Sequence, residues 1–75
     1  MNEINSMQDF LYQQLSDDKK VTIVFSNGKE IEANHFINRI GDNGVTVQNI
    51  VSSEYVKSVT TYCINTNQIS YIYQS

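Results

Sequence analysis

The stretch VTIVFSNGKEI, residues 21–31, sets the register of the predicted sheet because it places an Asn-Gly pair between two runs of alternating side chains. Such a pair is the strongest short-range signal for a β-hairpin. A two-residue loop would pair Phe25 with Glu30 and so mix apolar and charged side chains on one face. A three-residue loop over residues 26–28, with Gly28 in the left-handed conformation, avoids this mixing.

The three-residue loop gives the hairpin one apolar face and one polar face. The apolar face carries Val21, Ile23, Phe25, Ile31, Ala33, His35 and Ile37. The polar face carries Thr22, Glu30, Glu32 and Asn34. We therefore expect the first set, including the single histidine, to point toward the core or an interface.

A short helix is predicted over residues 6–16, before the hairpin. Ser6 is placed to cap the free amides, and the acidic Asp9 follows three positions later, beside the positive end of the helix. Four apolar residues then recur at helical spacing: Met7, Phe10, Leu11 and Leu15. A helix this short is stable only when its apolar stripe packs on another element.

The rest of the chain predicts further strands separated by turn-forming residues. Residues 41–44 form a dense turn signal, residues 52–54 a polar connection, and residues 65–67 a break before the last strand. Strands are predicted over residues 20–26, 29–38, 45–51, 55–64 and 69–73. The fold class is thus mainly β, an N-terminal helix followed by a five-stranded, strongly bent small barrel of the SH3-like kind, in one domain over residues 1–75.

The composition limits the functions that are open to the chain. With one cysteine and one histidine in 75 residues, we predict neither an internal disulfide nor a closed zinc site, and no cofactor. Such a small core indicates stabilisation by homo-oligomerisation. A net charge of −3 argues against a broad electrostatic surface for nucleic acid. No membrane span or signal peptide is predicted, so we expect a cytoplasmic protein.

The order of elements resembles the Sm-like fold, and in particular the family of the bacterial RNA chaperone Hfq. Residues 7–11, MQDFL, are similar to the start of that family's helix, and residues 21–33 resemble its first hairpin. Ile69-Ser70 resembles an Ile-Ser pair near its last strand. The resemblance implies a homo-oligomeric ring, a hexamer in that family, in which neighbouring subunits pair their last two strands and single-stranded RNA binds the faces and rim.

The resemblance also implies particular binding residues. Gln8 matches a helix glutamine that contacts a uridine-binding face, and Tyr62 lies near the tyrosine that opens the family's Tyr-Lys-His motif. This sequence departs from the motif, because Cys63 and the two residues after it replace the lysine and histidine. Val24 stands where an aromatic residue is expected, and Glu30 where a basic residue is common.

Other candidate site residues come from residue chemistry. Tyr55, Tyr62, Tyr71 and Tyr73 offer rings for stacking on bases or for packing at subunit seams. Lys19, Lys20 and Lys57, with Arg39, form a small anion site if a ring brings copies together. The polar Asn27 at the hairpin tip completes the predicted ligand set. Cys63, between Tyr62 and Ile64, is expected to be a buried and inert thiol.

Two classes of function remain open on the sequence. The first is a non-catalytic ring-forming module that binds single-stranded RNA or a nucleotide at subunit junctions. The alternative is a small acidic protein that binds and inhibits a nucleic-acid enzyme or sequesters a nucleotide signal, motivated by residues 17–18, Glu30 and Glu32. No nucleophile and base stand at a recognisable spacing, so we do not expect an enzyme.

Overall fold

The computed structural model describes residues 6–16 and 19–74 of the chain as one helix and two small sheets. The elements are α1 (Met7–Ser16), β1 (Val21–Phe25), β2 (Glu30–Ala33), β3 (His35–Ile40), β4 (Gly44–Ser52), β5 (Lys57–Asn65), a short 3-10 helix (Thr66–Gln68) and β6 (Ile69–Gln74). The sheet orders are β2-β1-β6 and β3-β4-β5, all antiparallel. The prediction of a mainly β chain with an N-terminal helix is confirmed.

The hairpin loop has three residues, as its sequence predicts. The Phe25 amide donates to Lys29 O over 2.8 Å, and the Gly28 amide donates back to Phe25 O over 2.9 Å. Gly28 has a φ of 88°, in the left-handed region that side chains with a Cβ avoid. Ile23 consequently lies opposite Ile31, and both side chains face the core.

The predicted strand over residues 29–38 is wrong as one element, because the chain changes sheets at Asn34. The Asn34 amide nitrogen Nδ2 donates to Ile50 O over 2.7 Å, and its Oδ1 accepts from Ile50 N over 2.9 Å. The side chain thus makes the pair of hydrogen bonds that a backbone partner would make in a ladder. The Asn34 backbone amide in addition donates to Gln48 O over 3.0 Å, and β2 and β3, on either side of this residue, pair in different sheets.

The bend also reverses which residues face inward. His35 and Ile37, predicted to continue the apolar face, are exposed, whereas Phe36 is half-buried and packs on the core. A register shift between Phe36 and Asn38 marks an irregularity in the β3–β4 ladder. The alternation of β1 and β2 therefore does not extend through Asn34, since side-chain period two holds only along an unbroken strand.

The core lies between the two sheets and the helix. Its buried members are Leu11, Leu15, Val21, Ile23, Ala33, Val45, Val47 and Ile64. Ser6 caps α1 as predicted, its Oγ accepting from the Asp9 amide over 3.2 Å. The helix is held on β3 by an ion pair between Asp9 and Arg39 and by an edge-to-face contact of Tyr12 with Phe36, 5.4 Å between ring centroids.

The two sheets do not close into the predicted five-stranded barrel. The break at residues 65–67 is confirmed as a 3-10 helix capped by Asn65, but β5 and β6 on either side of it do not pair with each other. β6 pairs with β1, and β5 pairs with β4. One edge of β5 and one edge of β6 are therefore free of strand partners in the described part of the chain.

Replacing Asn34 with alanine should destabilise the protein more than any change of an exposed strand residue. Both backbone groups of Ile50 would lose their partner, so we expect the free energy of unfolding to fall by about 2 kcal/mol. Urea denaturation followed by circular dichroism measures this. Asn38→Ala, an exposed position on β3, is the matched control and should change stability by less than about 0.5 kcal/mol. Equal effects of the two substitutions would refute the role assigned to Asn34.

Candidate ligand-binding cleft

A cleft of about 300 Å³ opens between the hairpin loop and the 3-10 helix. Three of its lining residues are amides, and the others are apolar or aromatic apart from one cysteine. The lining consists of Phe25, Asn27, Ile31, Tyr62, Cys63, Ile64, Asn65 and Gln68. We call this hollow the amide cleft. No lysine, arginine or carboxylate lines it, so its polar groups are neutral.

Two loops are locked together to shape the amide cleft. The Ser26 amide and hydroxyl both donate to Gln68 O, over 2.8 and 3.1 Å. Asn27 Oδ1 accepts from the Lys29 amide over 3.0 Å, and Asn65 Oδ1 accepts from the Asn67 amide over 2.9 Å. Because these oxygens fix their own turns, the Nδ2 groups are the side-chain donors that remain to meet a ligand.

Tyr62 and Ile31 supply the apolar part of the amide cleft. Tyr62 lies on β5 opposite Val47 and is half-buried against the core. Ile31 comes from β2 and packs on the same core. Their placement on strands of different sheets makes the bottom of the cleft rigid, since each strand is paired along its other edge.

A second, larger hollow of about 480 Å³ adjoins the amide cleft and shares Ile31 and Tyr62 with it. Its other lining residues are Thr22, Glu30, Glu32, Asn49 and Tyr73. Asn49 Oδ1 is buried without a hydrogen-bond partner in the described part of the chain. This hollow therefore presents mainly oxygen acceptors, two of them carboxylates.

The predicted ligand residues are only partly brought together. Asn27 and Tyr62 line the same cleft. Tyr55 is 88% exposed in the loop before β5 and not within a strand, while Lys57 begins β5. Lys19 and Lys20 precede β1, and Lys20 Nζ lies 2.7 Å from Glu32 Oε2. Neither these two lysines nor Lys57 lines the amide cleft.

Gln8, which the resemblance matches to a ligand-contacting glutamine, is buried and hydrogen-bonded within the protein. The residue is 5% exposed, and its Nε2 donates to the carbonyl oxygens of Gly41 and Gly44 over 3.1 and 2.8 Å. Gly44 cannot carry a Cβ, which would lie 2.6 Å from Ile40 O. Gln8 therefore holds the tight β3–β4 turn on the helix, and its role toward RNA stays a prediction.

The expectation of a buried thiol at Cys63 is wrong. The residue is exposed, and its Sγ lies 3.9 Å from Thr46 Oγ1. The inward side chains of this strand are those of Tyr62 and Ile64. Within residues 6–16 and 19–74, no three His, Cys, Asp or Glu side chains group as metal ligands would. The acidic residues 17–18, which motivated the inhibitor alternative, lie outside the described residues.

Six residues of the amide cleft carried no sequence prediction of binding, and the polar side chains among them that can meet a base are Asn65 and Gln68. Residues 65–67 were recognised as a strand break, yet nothing local indicates that this break meets the hairpin loop. Ser26 and Gln68 are 42 positions apart. An amide-rich turn between strands was the one available signal.

Tyr73 is the titratable group with the clearest electrostatic environment in the described chain. Its hydroxyl donates to Glu30 Oε1 over 3.0 Å, and this hydrogen bond, together with desolvation and the nearby negative charge, raises the pKa of Tyr73 above its ordinary value. A hydrogen bond with Thr22 lowers the pKa of Tyr73 and offsets part of this increase. The pKa is raised because these interactions favour the protonated phenol in the folded state.

Comparison with known protein families, with curated proteins and with solved structures finds no match for this chain. In the described part of the chain, the single α-helix has ten residues, and no helix is long and apolar enough to cross a membrane.

Replacing Gln8 with alanine should lower stability whether or not a ligand is present. Two carbonyl oxygens would lose their donor, and we expect a loss of about 2 kcal/mol in the free energy of unfolding. Gln13→Ala, on the exposed side of the same helix, serves as the control and should stay within about 0.5 kcal/mol of the parent. A Gln8→Ala protein of unchanged stability but reduced RNA binding would instead assign Gln8 to the ligand.

Replacing Glu30 with glutamine should lower the pKa of Tyr73 toward its ordinary value, because the carboxylate is the main cause of the shift. Ring carbon NMR over alkaline pH measures this, with Glu32→Gln as the control of equal charge. Since the folded-state pKa is raised, the contribution to stability is present below the unfolded-state pKa and is lost as pH rises through the folded value. A Tyr73 midpoint unaffected by Glu30→Gln would contradict the assignment.

Proposed function

We propose that this chain is a non-catalytic Sm-like binding protein that holds a base of single-stranded RNA, or of a nucleotide, in the amide cleft. The observation that carries the proposal is the meeting of Tyr62 with three amide side chains in one neutral hollow of about 300 Å³. The bent β2–β3 passage and the 3-10 break before β6 support the Sm-like assignment.

The lining of the amide cleft suits a nucleobase for two reasons. Aromatic side chains stack on bases with a gain of about 1 to 3 kcal/mol per base. Asparagine and glutamine amides offer the donors and acceptors that read base edges in unpaired strands. No lysine or arginine lines the cleft, so the base, and not the phosphate, would make most of the contact.

The free edges of β5 and β6 support assembly into a ring. Both strands carry exposed apolar or aromatic side chains, among them Val59 of β5 at 48% and Tyr71 of β6 at 55% exposure. Unpaired edges of this kind invite pairing with another chain, and β5 of one copy beside β6 of the next would close a ring such as the hexamer that the resemblance implies. Repeated clefts on one ring would bind a strand with avidity although each contact is weak. Such a protein would act in the cytoplasm.

Gln68→Ala should weaken binding of a labelled single-stranded U-rich or A-rich oligonucleotide by about fivefold, the effect of one lost hydrogen bond of about 1 kcal/mol. Gln68 is exposed on the 3-10 helix, so the variant should fold. Fluorescence anisotropy measures the affinity, and Gln13→Ala is the matched control. Native mass spectrometry of the same samples gives the number of subunits and any bound nucleotide.

Two outcomes would refute the proposal. If the protein bound neither oligonucleotide and no nucleotide, the proposal that it holds a base would be refuted. A monomer that binds RNA equally well with and without the Gln68 side chain would remove both the ring and the amide cleft as the binding site.

A further inference from the structure

The outer face of the β2-β1-β6 sheet, opposite the core, carries an exposed pair of aromatic rings beside two carboxylates. Tyr71 lies opposite Val24, and Val24 opposite Glu30; Tyr73 lies opposite Thr22, and Thr22 opposite Glu32. Residues directly opposite in a ladder share one face. We call the surface formed by Tyr71, Tyr73, Glu30 and Glu32 the tyrosine face.

The rings of the tyrosine face are held in place but remain accessible. Their centroids are 6.1 Å apart with 28° between the planes, and the Tyr73 hydroxyl is fixed by its 3.0 Å hydrogen bond to Glu30. Tyr71 and Tyr73 are 55% and 46% exposed, whereas Val24 between Tyr71 and Glu30 is only 7% exposed. The face is therefore an ordered aromatic surface with a negative border.

The charges on this face are complementary to a cation. In the described residues, Glu32 forms an ion pair with Lys20. Glu30 accepts the hydrogen bond of the Tyr73 hydroxyl. A guanidinium stacks on aromatic rings and donates two parallel hydrogen bonds to a carboxylate. A phosphate, by contrast, would be repelled by both glutamates.

A second copy of this chain is a poor occupant of the tyrosine face. Two such faces packed together would oppose their own carboxylates. The chain has a single arginine, Arg39, and it is already paired with Asp9. An arginine of a different protein, which has no such internal partner, therefore fits this face better than a second copy does.

We propose that the tyrosine face docks an arginine-bearing basic segment of another protein. The guanidinium lies on the ring of Tyr71 or Tyr73 and donates to Glu30 or Glu32. None of its four residues lines the amide cleft, although the hollow that contains Glu30, Glu32 and Tyr73 adjoins that cleft. Its partner is a protein and not RNA. The inference is independent of the function proposed above.

The test titrates the isotope-labelled full chain with a hexa-arginine peptide at moderate salt and follows binding by NMR. We expect Glu30→Gln with Glu32→Gln to weaken binding about tenfold, with the largest shifts at Tyr71 and Tyr73. Asp42→Asn with Glu54→Gln removes the same charge from exposed loops and should change affinity by less than about twofold. Circular dichroism checks that all variants fold.

A second variant separates aromatic stacking from plain charge attraction. Hexa-lysine should bind about threefold more weakly than hexa-arginine, because an ammonium neither stacks nor donates in a fork. Tyr71→Leu keeps an apolar cover over Val24 and should reduce this preference, because one of the two rings is lost, while leaving the fold intact. Gln68→Ala in the amide cleft should leave peptide affinity unchanged, so failure of one proposal is distinguishable from failure of the other.

Three outcomes would overturn the proposal. Equal weakening by the two charge-matched double variants would show nonspecific attraction. Shifts at Tyr71 and Tyr73 caused by an oligonucleotide alone, with no peptide present, would make the face a nucleic-acid surface. A change in subunit number caused by Glu30→Gln with Glu32→Gln in the absence of peptide would make a second copy the occupant.

Discussion

The side chain of Asn34 hydrogen-bonds to both backbone groups of Ile50, and the two-sheet arrangement depends on this contact. A side-chain amide carries an NH2 donor group and a carbonyl acceptor in the same plane, so it can pair with both backbone groups of Ile50 as a strand residue would. The chain therefore leaves the first sheet and enters the second with its buried polar groups satisfied. Without this contact, turning the strand would expose Ile50 N–H and C=O at the seam.

The amide cleft exists because of the resulting geometry. With β2 and β5 in different sheets, Ile31 and Tyr62 meet across an open space that paired strands would fill. The hydrogen bonds from Ser26 to Gln68 O then bring the hairpin tip against the 3-10 helix. Loops positioned by paired strands are where binding groups are commonly found, and three amides converge here.

The two proposed surfaces differ in charge. The amide cleft is neutral, as suits a base, and the tyrosine face is bordered by glutamates, as suits a cation. Each of the two functions left open by the composition thus has a surface for which we propose it, the neutral cleft for RNA and the acidic face for a protein. They consist of different residues, so a substitution can alter one surface and leave the residues of the other unchanged.

Local features were readable from residue order. The Asn-Gly loop, the Ser6 cap and the break at residues 65–67 follow from interactions within a few positions, and the alternation of β1 placed Ile23 and Ile31 inward. The sites of Gln8, His35, Cys63 and Gln68 did not follow, because each depends on the path of the backbone between distant residues. Asn34 meets Ile50 across 16 positions, Gln8 meets Gly44 across 36, and Ser26 meets Gln68 across 42. Patterns of hydrophobicity record which face is apolar, but not where a strand turns, and it is the turn at Asn34 that exposes His35 and opens the cleft.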